Sequence, residues 1–205
     1  MLRRSSSVRL RTPATVRSSD SEDRRLGTAS RPVIFVAAPV VFGLMILETR
    51  RARRNERVQR RAGGVEPPGD VFHLMAVAYP SAFAAMFAEG FFRGMTGTRA
   101  ILAGSAVFTV AKALKWWAIL TLGRFWTFRV IVVPGAPRIE SGPYRFLRHP
   151  NYAGVVGELL GVGLLTGAPV AAFLGTALFG ALILKRIDVE ERALRGGGPL
   201  AALDV

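Results

Sequence analysis

The sequence predicts an all-α polytopic membrane protein with about five transmembrane helices, and three observations carry that prediction. Half of the residues are hydrophobic and the mean hydropathy is +0.31, high for a water-soluble chain. The apolar residues come in blocks, and the arginines cluster between those blocks. A chain of 205 residues suits one domain.

Composition also excludes chemistry. There are no cysteines, so disulfides, thiolate metal sites and cysteine nucleophiles are ruled out. The two histidines, His73 and His149, leave little material for a metal centre, and none is expected. A formal charge of +14 would fit nucleic acid elsewhere. Here the arginines flank apolar runs, which suits a bilayer partner and no nucleic acid.

Residues 1–30 are rich in Ser and Arg without apolar periodicity and read as a disordered basic tail. The first span is expected at Pro32–Leu47, sixteen residues without a charge. That is short of the ~20 needed to cross, a difference that tilt and snorkelling flanks absorb. It ends in the basic loop ETRRARRNERVQRR. The second span, Val71–Phe92, contains His73, Pro80 and Glu89. The third, Ala100–Leu122, is interrupted by Lys112 and Lys115. The run Tyr152–Ile187 is too long for one crossing, and TGAP at Thr166–Pro169 divides it into two antiparallel helices. Residues 31–195 then form the membrane domain, and 196–205 a short flexible tail.

The loop at 50–61 carries seven Arg and that at 123–150 carries five. Alternation places these loops and the C-terminus in the cytoplasm. The eight Arg of residues 1–31 oppose an outside N-terminus. Before the fourth span, FRVIVV and the PGAP and SGPY turns suggest a cytoplasmic interfacial loop or short hairpin. Trp126 and Phe128 would be its interface anchors.

Three groups could carry chemistry. In SGPYRFLRHPNYAG, Pro150 suits the first helical position, so Arg145, Arg148 and His149 stand at a helix N-terminus. Free N–H groups and the helix dipole there favour an anion, although a snorkelling basic belt fits equally well. In RIDVEERALR, Arg186 and Glu190 are four apart, as are Glu191 and Arg195. This gives either two surface ion pairs or a glutamate that binds a cation beside His149. The hairpin of spans returns Glu190 to the membrane face that bears His149. Glu158 lies about two turns into the fourth span, where a carboxylate needs a partner or a task. Lys112 and Lys115 are its candidate partners, and a structural ion pair or a catalytic role would each explain it.

GPYRFLRHPNYAG, followed after two spans by Glu190 and Glu191, resembles the isoprenylcysteine carboxyl methyltransferase family of integral-membrane methyltransferases. The pattern Arg-His-Pro-x-Tyr-x-Gly falls on Arg148, His149, Pro150, Tyr152 and Gly154. TLGRFWTFRVIVVPGAP and GELLGVGLL are similar to the bacterial branch, some members of which accompany type III polyketide synthases. The resemblance covers about residues 32–195. It implies a cytoplasm-facing pocket for S-adenosylmethionine, lined by Tyr144, Arg148, His149, Pro150, Tyr152 and Gly154 on one side and by Glu190 or Glu191 on the other. Gly154 would let the backbone approach the ligand closely. The acceptor implied is a lipophilic small molecule, an isoprenyl or polyketide lipid methylated at a carboxylate, phenol or enol. His149 or a glutamate, Glu158 among the candidates, would act in catalysis. Past the glutamate pair the sequence reads LRGGGPLAALDV, without the Tyr-containing basic tail that members often carry.

Two alternatives stand beside this reading. NADPH-dependent membrane reductases of the sterol or enone type share the RHPNYxG flavour, but no dinucleotide fingerprint is present. A non-catalytic membrane scaffold is the other. The sequence is silent on oligomeric state.

Overall fold

The computed structural model describes residues 27–136 and 139–195. Five long helices dominate: α1 (Ser30–Arg61), α2 (Phe72–Arg93), α3 (Thr98–Leu122), α4 (Pro150–Thr166) and α5 (Pro169–Arg195). Two three-residue strands, β1 (Gly27–Ala29) and β2 (Met95–Gly97), pair antiparallel with Thr28 opposite Thr96. Of the expected N-terminal tail, residues 1–26 lie outside the described residues, as does the expected 196–205 tail.

Four segments are long and apolar enough to cross a membrane: Arg31–Arg61, Phe72–Arg93, Thr98–Phe125 and Pro169–Ala193. The remaining helix, α4, has 17 residues and a length of about 26 Å, just short of the hydrocarbon thickness. It sits inside the bundle, with Val155, Glu158, Leu159 and Val162 buried. The protein is an all-α, multi-pass membrane protein.

Small residues set the central packing. A Cβ at Gly104 on α3 would lie 2.4 Å from the Leu165 nitrogen of α4, and one at Gly161 only 2.6 Å from the Phe108 nitrogen. The α3 and α4 backbones therefore approach closely, as small-residue faces allow in membranes. The α4–α5 turn falls at TGAP, as the sequence predicts. Gly167 takes a left-handed φ of 65° and Pro169 opens α5. Glu89 of α2 accepts from the Ala171 N–H at 2.7 Å, which caps the first turn of α5 across the helix boundary.

Three expectations need correction. The basic stretch after the first span is not a loop, because α1 continues without a break to Arg61. Arginine is a good helix former, and no Gly or Pro intervenes before Gly63. The overhang is held by Asn55 Nδ2, which donates to the Gly123 and Trp126 carbonyls at 2.8 Å each, and by Gln59 Nε2, which donates to Arg124 O at 3.1 Å. That overhang provides a wall for Trp126, which is buried against Ala52 and Ile119 rather than serving as an exposed anchor. Phe128 packs half-buried beside it. FRVIVV forms no hairpin, so the loop alternative holds. One bridge joins Val132 to Val65 of the α1–α2 loop, with both N–H···O distances 2.9 Å. Asp70 takes the Val130 N–H, and Pro134 offers no donor.

β1, β2 and the α4–α5 turn share one end of the bundle, where Thr96 Oγ1 donates to Thr166 O at 3.1 Å. The α1 overhang, residues 62–71, the 123–149 segment and the last turns of α5 share the other end.

Candidate active site

At that second end the fourth and fifth helices meet. His149 is the N-cap residue of α4 and Pro150 its first helical residue, as the sequence predicts. The His149 carbonyl accepts from the Tyr152 and Ala153 N–H groups at 3.1 and 3.2 Å. The Ala153 bond is the ordinary first turn of the helix, but the Tyr152 N–H, one of those expected to be free, is taken up by the backbone itself, so the corner presents one donor fewer than the sequence suggests.

Tyr152 lies one turn up α4, stacked on the His149 ring with centroids 5.6 Å apart and planes inclined by 25°. Its hydroxyl makes a short hydrogen bond to Glu190 Oε1. Arg186 Nε donates to the Tyr152 hydroxyl at 2.8 Å and to Glu190 Oε1 at 3.3 Å. The other oxygen of Glu190, Oε2, faces His149 Nδ1 at 3.7 Å, and His149 Nε2 lies 3.9 Å from Glu191 Oε1. These last two distances are too long for hydrogen bonds. The imidazole therefore stands between both glutamates, although adjacent helical side chains diverge by about 100°.

The Arg186–Glu190 pair is not the surface ion pair that its spacing allowed. Arg186 is 5% exposed, and its Nη1 donates to Asp70 Oδ1 at 3.1 Å. Asp70 was missed in the sequence; its only signal is its place just before an apolar run, where an Asp commonly caps a helix. Tyr144 sits in the one-turn helix Gly142–Arg145. Burial, followed by the negative charge of Glu190, pushes its phenol above the usual tyrosine range. Arg148 is exposed at the rim, as is Arg145, which covers the Phe146 ring. The side chain of Arg195 lies outside the described residues.

Two predicted site residues lie elsewhere. A Cβ at Gly154 would fall 2.8 Å from Lys115 Cβ and 3.1 Å from Ala111 O. Its missing side chain admits the close approach of α3. Glu158 is 1% exposed in a cluster deep in the bundle. Lys112 and Lys115, its expected partners, both reach it. Lys112 Nζ is 2.9 Å from Glu158 Oε1, though off the line of a hydrogen bond, and Lys115 Nζ is 3.4 Å from Oε2. Glu48 of α1 completes the cluster at 2.9 Å from Lys112 and 2.7 Å from Lys115. The Tyr79 hydroxyl donates a short hydrogen bond to Glu158. Neither Glu48 nor Tyr79 was expected there.

A groove of about 500 Å³ runs between α2 and α5, lined by Ala78, Ala82, Leu174 and Gly175 among others. It ends at Glu89, at the opposite end from His149, and its walls are almost wholly apolar. Its chemistry suits lipid contact rather than a polar ligand.

Comparison with known proteins bears on this corner directly. Residues 103–196 match the isoprenylcysteine carboxyl methyltransferase (ICMT) family, a stretch that contains every residue of the corner except Asp70. The chain is 30% identical over 144 residues to the uncharacterized protein YpbQ of Bacillus subtilis, covering 70% of this chain and 86% of that one. It is 24% identical over 142 residues to an uncharacterized protein of Haemophilus influenzae, covering 69% and 83%. No solved structure matches. The chain belongs to the isoprenylcysteine carboxyl methyltransferase family of membrane methyltransferases.

Proposed function

We propose that the protein transfers a methyl group from S-adenosylmethionine to a membrane-embedded lipophilic acceptor, at a site facing the cytoplasm of a bacterial cell. The observation that carries this reading is Glu190. One carboxylate oxygen is engaged by Tyr152 and Arg186, while the other is turned toward His149, with no closer donor among the described residues.

The side chains at the corner fit the donor's chemistry. Glu190 Oε2, with Glu191 beside it, would hold the ammonium group. Arg148, exposed at the rim, would take the carboxylate. Tyr144 and Tyr152 supply neutral aromatic walls, and Pro150 fixes where α4 starts. When bound, S-adenosylmethionine supplies a methyl group on a cationic sulfur. The chain's own task is then to position the acceptor in line and keep water out, which accounts for several kcal/mol in reactions of this type. An ionised carboxylate or acidic enol needs no base. A phenol, with a pKa near 10, would give its proton to the His149 imidazole. Glu158, neutralised by two lysines, is read as structural rather than catalytic. The cytoplasmic orientation rests on the described arginines of the α1 overhang, of residues 123–136 and 139–149, and of α5, which gather at the corner's end of the bundle.

Titrating the purified protein with S-adenosylmethionine and with NADPH tests the reading. Saturable binding of the methyl donor, with NADPH weak or absent, is expected. Tighter NADPH binding would support a reductase, and binding of neither a scaffold.

A further inference from the structure

Asp70 lies outside the region matched to the family, yet it is as deeply placed as any charged group in the corner. Its side chain is 4% exposed. Oδ1 accepts from the Phe72 N–H at 3.0 Å and from Arg186 Nη1 at 3.1 Å, and Oδ2 accepts from the Val130 N–H at 2.9 Å. One carboxylate therefore joins the start of α2, the 123–149 segment and α5, all directly behind Glu190.

We propose that Asp70 is a positioning residue that sets the net charge of the corner. Arg186 and Glu190 alone would cancel, as i,i+4 pairs of opposite sign do. With Asp70 sharing the guanidinium, the three groups together carry one net negative charge. The charge is felt strongly because Asp70 and Arg186 are withdrawn from water, where screening is weak. A negative group of this kind beside the ligand favours a cationic ligand over a neutral one of the same shape.

The inference rests on the methyl-donor reading, which supplies such a pair. S-adenosylmethionine carries one net positive charge through its sulfonium, whereas S-adenosylhomocysteine has a neutral thioether and carries none. Asp70 would therefore bias the corner toward the donor and against the demethylated product. It does so through Arg186, without touching either ligand.

The test measures dissociation constants for both ligands with the full chain in detergent. Asp70→Asn should weaken S-adenosylmethionine about tenfold more than S-adenosylhomocysteine, from the loss of one nearby charge. Arg186→Gln should move the ratio of the two affinities the opposite way, and it serves if Asp70→Asn does not fold. Combining the substitutions should restore the wild-type ratio even if both ligands bind less tightly. A merely structural Asp70 would lower both affinities alike, so an unchanged ratio in the single variants overturns the inference. Wild-type protein that binds neither ligand would instead overturn the methyl-donor reading, and this inference with it.

Discussion

Two charged clusters in this bundle are built from nearly the same residue types and differ in how their charge is closed. Deep in the helices, Glu48, Lys112, Lys115 and Glu158 match two anions with two cations, and Tyr79 takes part in the same network. At the end of the bundle, Asp70, Arg186 and Glu190 set one arginine between two carboxylates, with His149 facing Glu190 and Glu191. The first arrangement is balanced and sealed. The second is unbalanced and reaches the rim. Charge in the membrane interior must be neutralised on the spot, so the balanced cluster explains its own presence. The Asp70–Arg186–Glu190 group keeps one surplus carboxylate, which would suit a cation from elsewhere. The difference is the ground for proposing a structural device in the interior and a binding site at the rim.

The largest expected effect comes from opening the balanced cluster. Lys115→Met leaves Glu48 and Glu158 with one cation between them, and breaking a buried pair typically costs about 3–5 kcal/mol. Thermal unfolding in detergent should show a large fall in the midpoint; an unchanged midpoint would mean that the cluster holds nothing together. Next comes the rim. His149→Ala removes the ring between the glutamates and the stacking on Tyr152, and should weaken S-adenosylmethionine binding about tenfold, or ~1.4 kcal/mol. Calorimetry giving the wild-type affinity would remove the imidazole from the site. Smaller again is Tyr152→Phe, which deletes a hydroxyl engaged with both Arg186 and Glu190. A loss of about 1 kcal/mol in stability or binding is expected.

The smallest effect concerns pH and the loop beside the rim. Burial raises the Glu66 carboxyl, but hydrogen bonds from Arg60 and Arg129 outweigh that and hold it below the usual carboxylate range. A group whose folded pKa is depressed stabilises the fold above its unfolded pKa and loses that contribution as pH falls through the folded value. Hydrogen exchange at the Val65–Val132 bridge should therefore quicken below about pH 4. Glu66→Gln should abolish that dependence, and a pH response that survives it would point to another group.

The helices were legible because each is an apolar run with clear stops, and Pro150 and TGAP fixed two boundaries locally. The meeting of His149 with Glu190 followed from topology, since a two-helix hairpin returns its ends to one face. Other features depended on contacts that no local pattern records. Arg186 and Glu190 look like a surface pair, and only Asp70, 116 residues away, reveals that Arg186 is buried. Glu48 reads as the start of a basic loop until α1 is seen to continue past it and bring it to Lys112 and Lys115. The close approach of Lys115 and Ala111 of α3 to Gly154 is another contact that no local pattern records.

The most direct test of the account compares S-adenosylmethionine affinity in the folded fractions of Glu190→Gln and Glu158→Gln. Glu190→Gln should bind the donor about 10- to 100-fold more weakly, in line with losing a charged hydrogen-bond acceptor. Glu158→Gln should fold in lower yield but bind with near wild-type affinity. Wild-type affinity in Glu190→Gln, with binding lost in folded Glu158→Gln, would place the ligand in the wrong cluster for this account and contradict it.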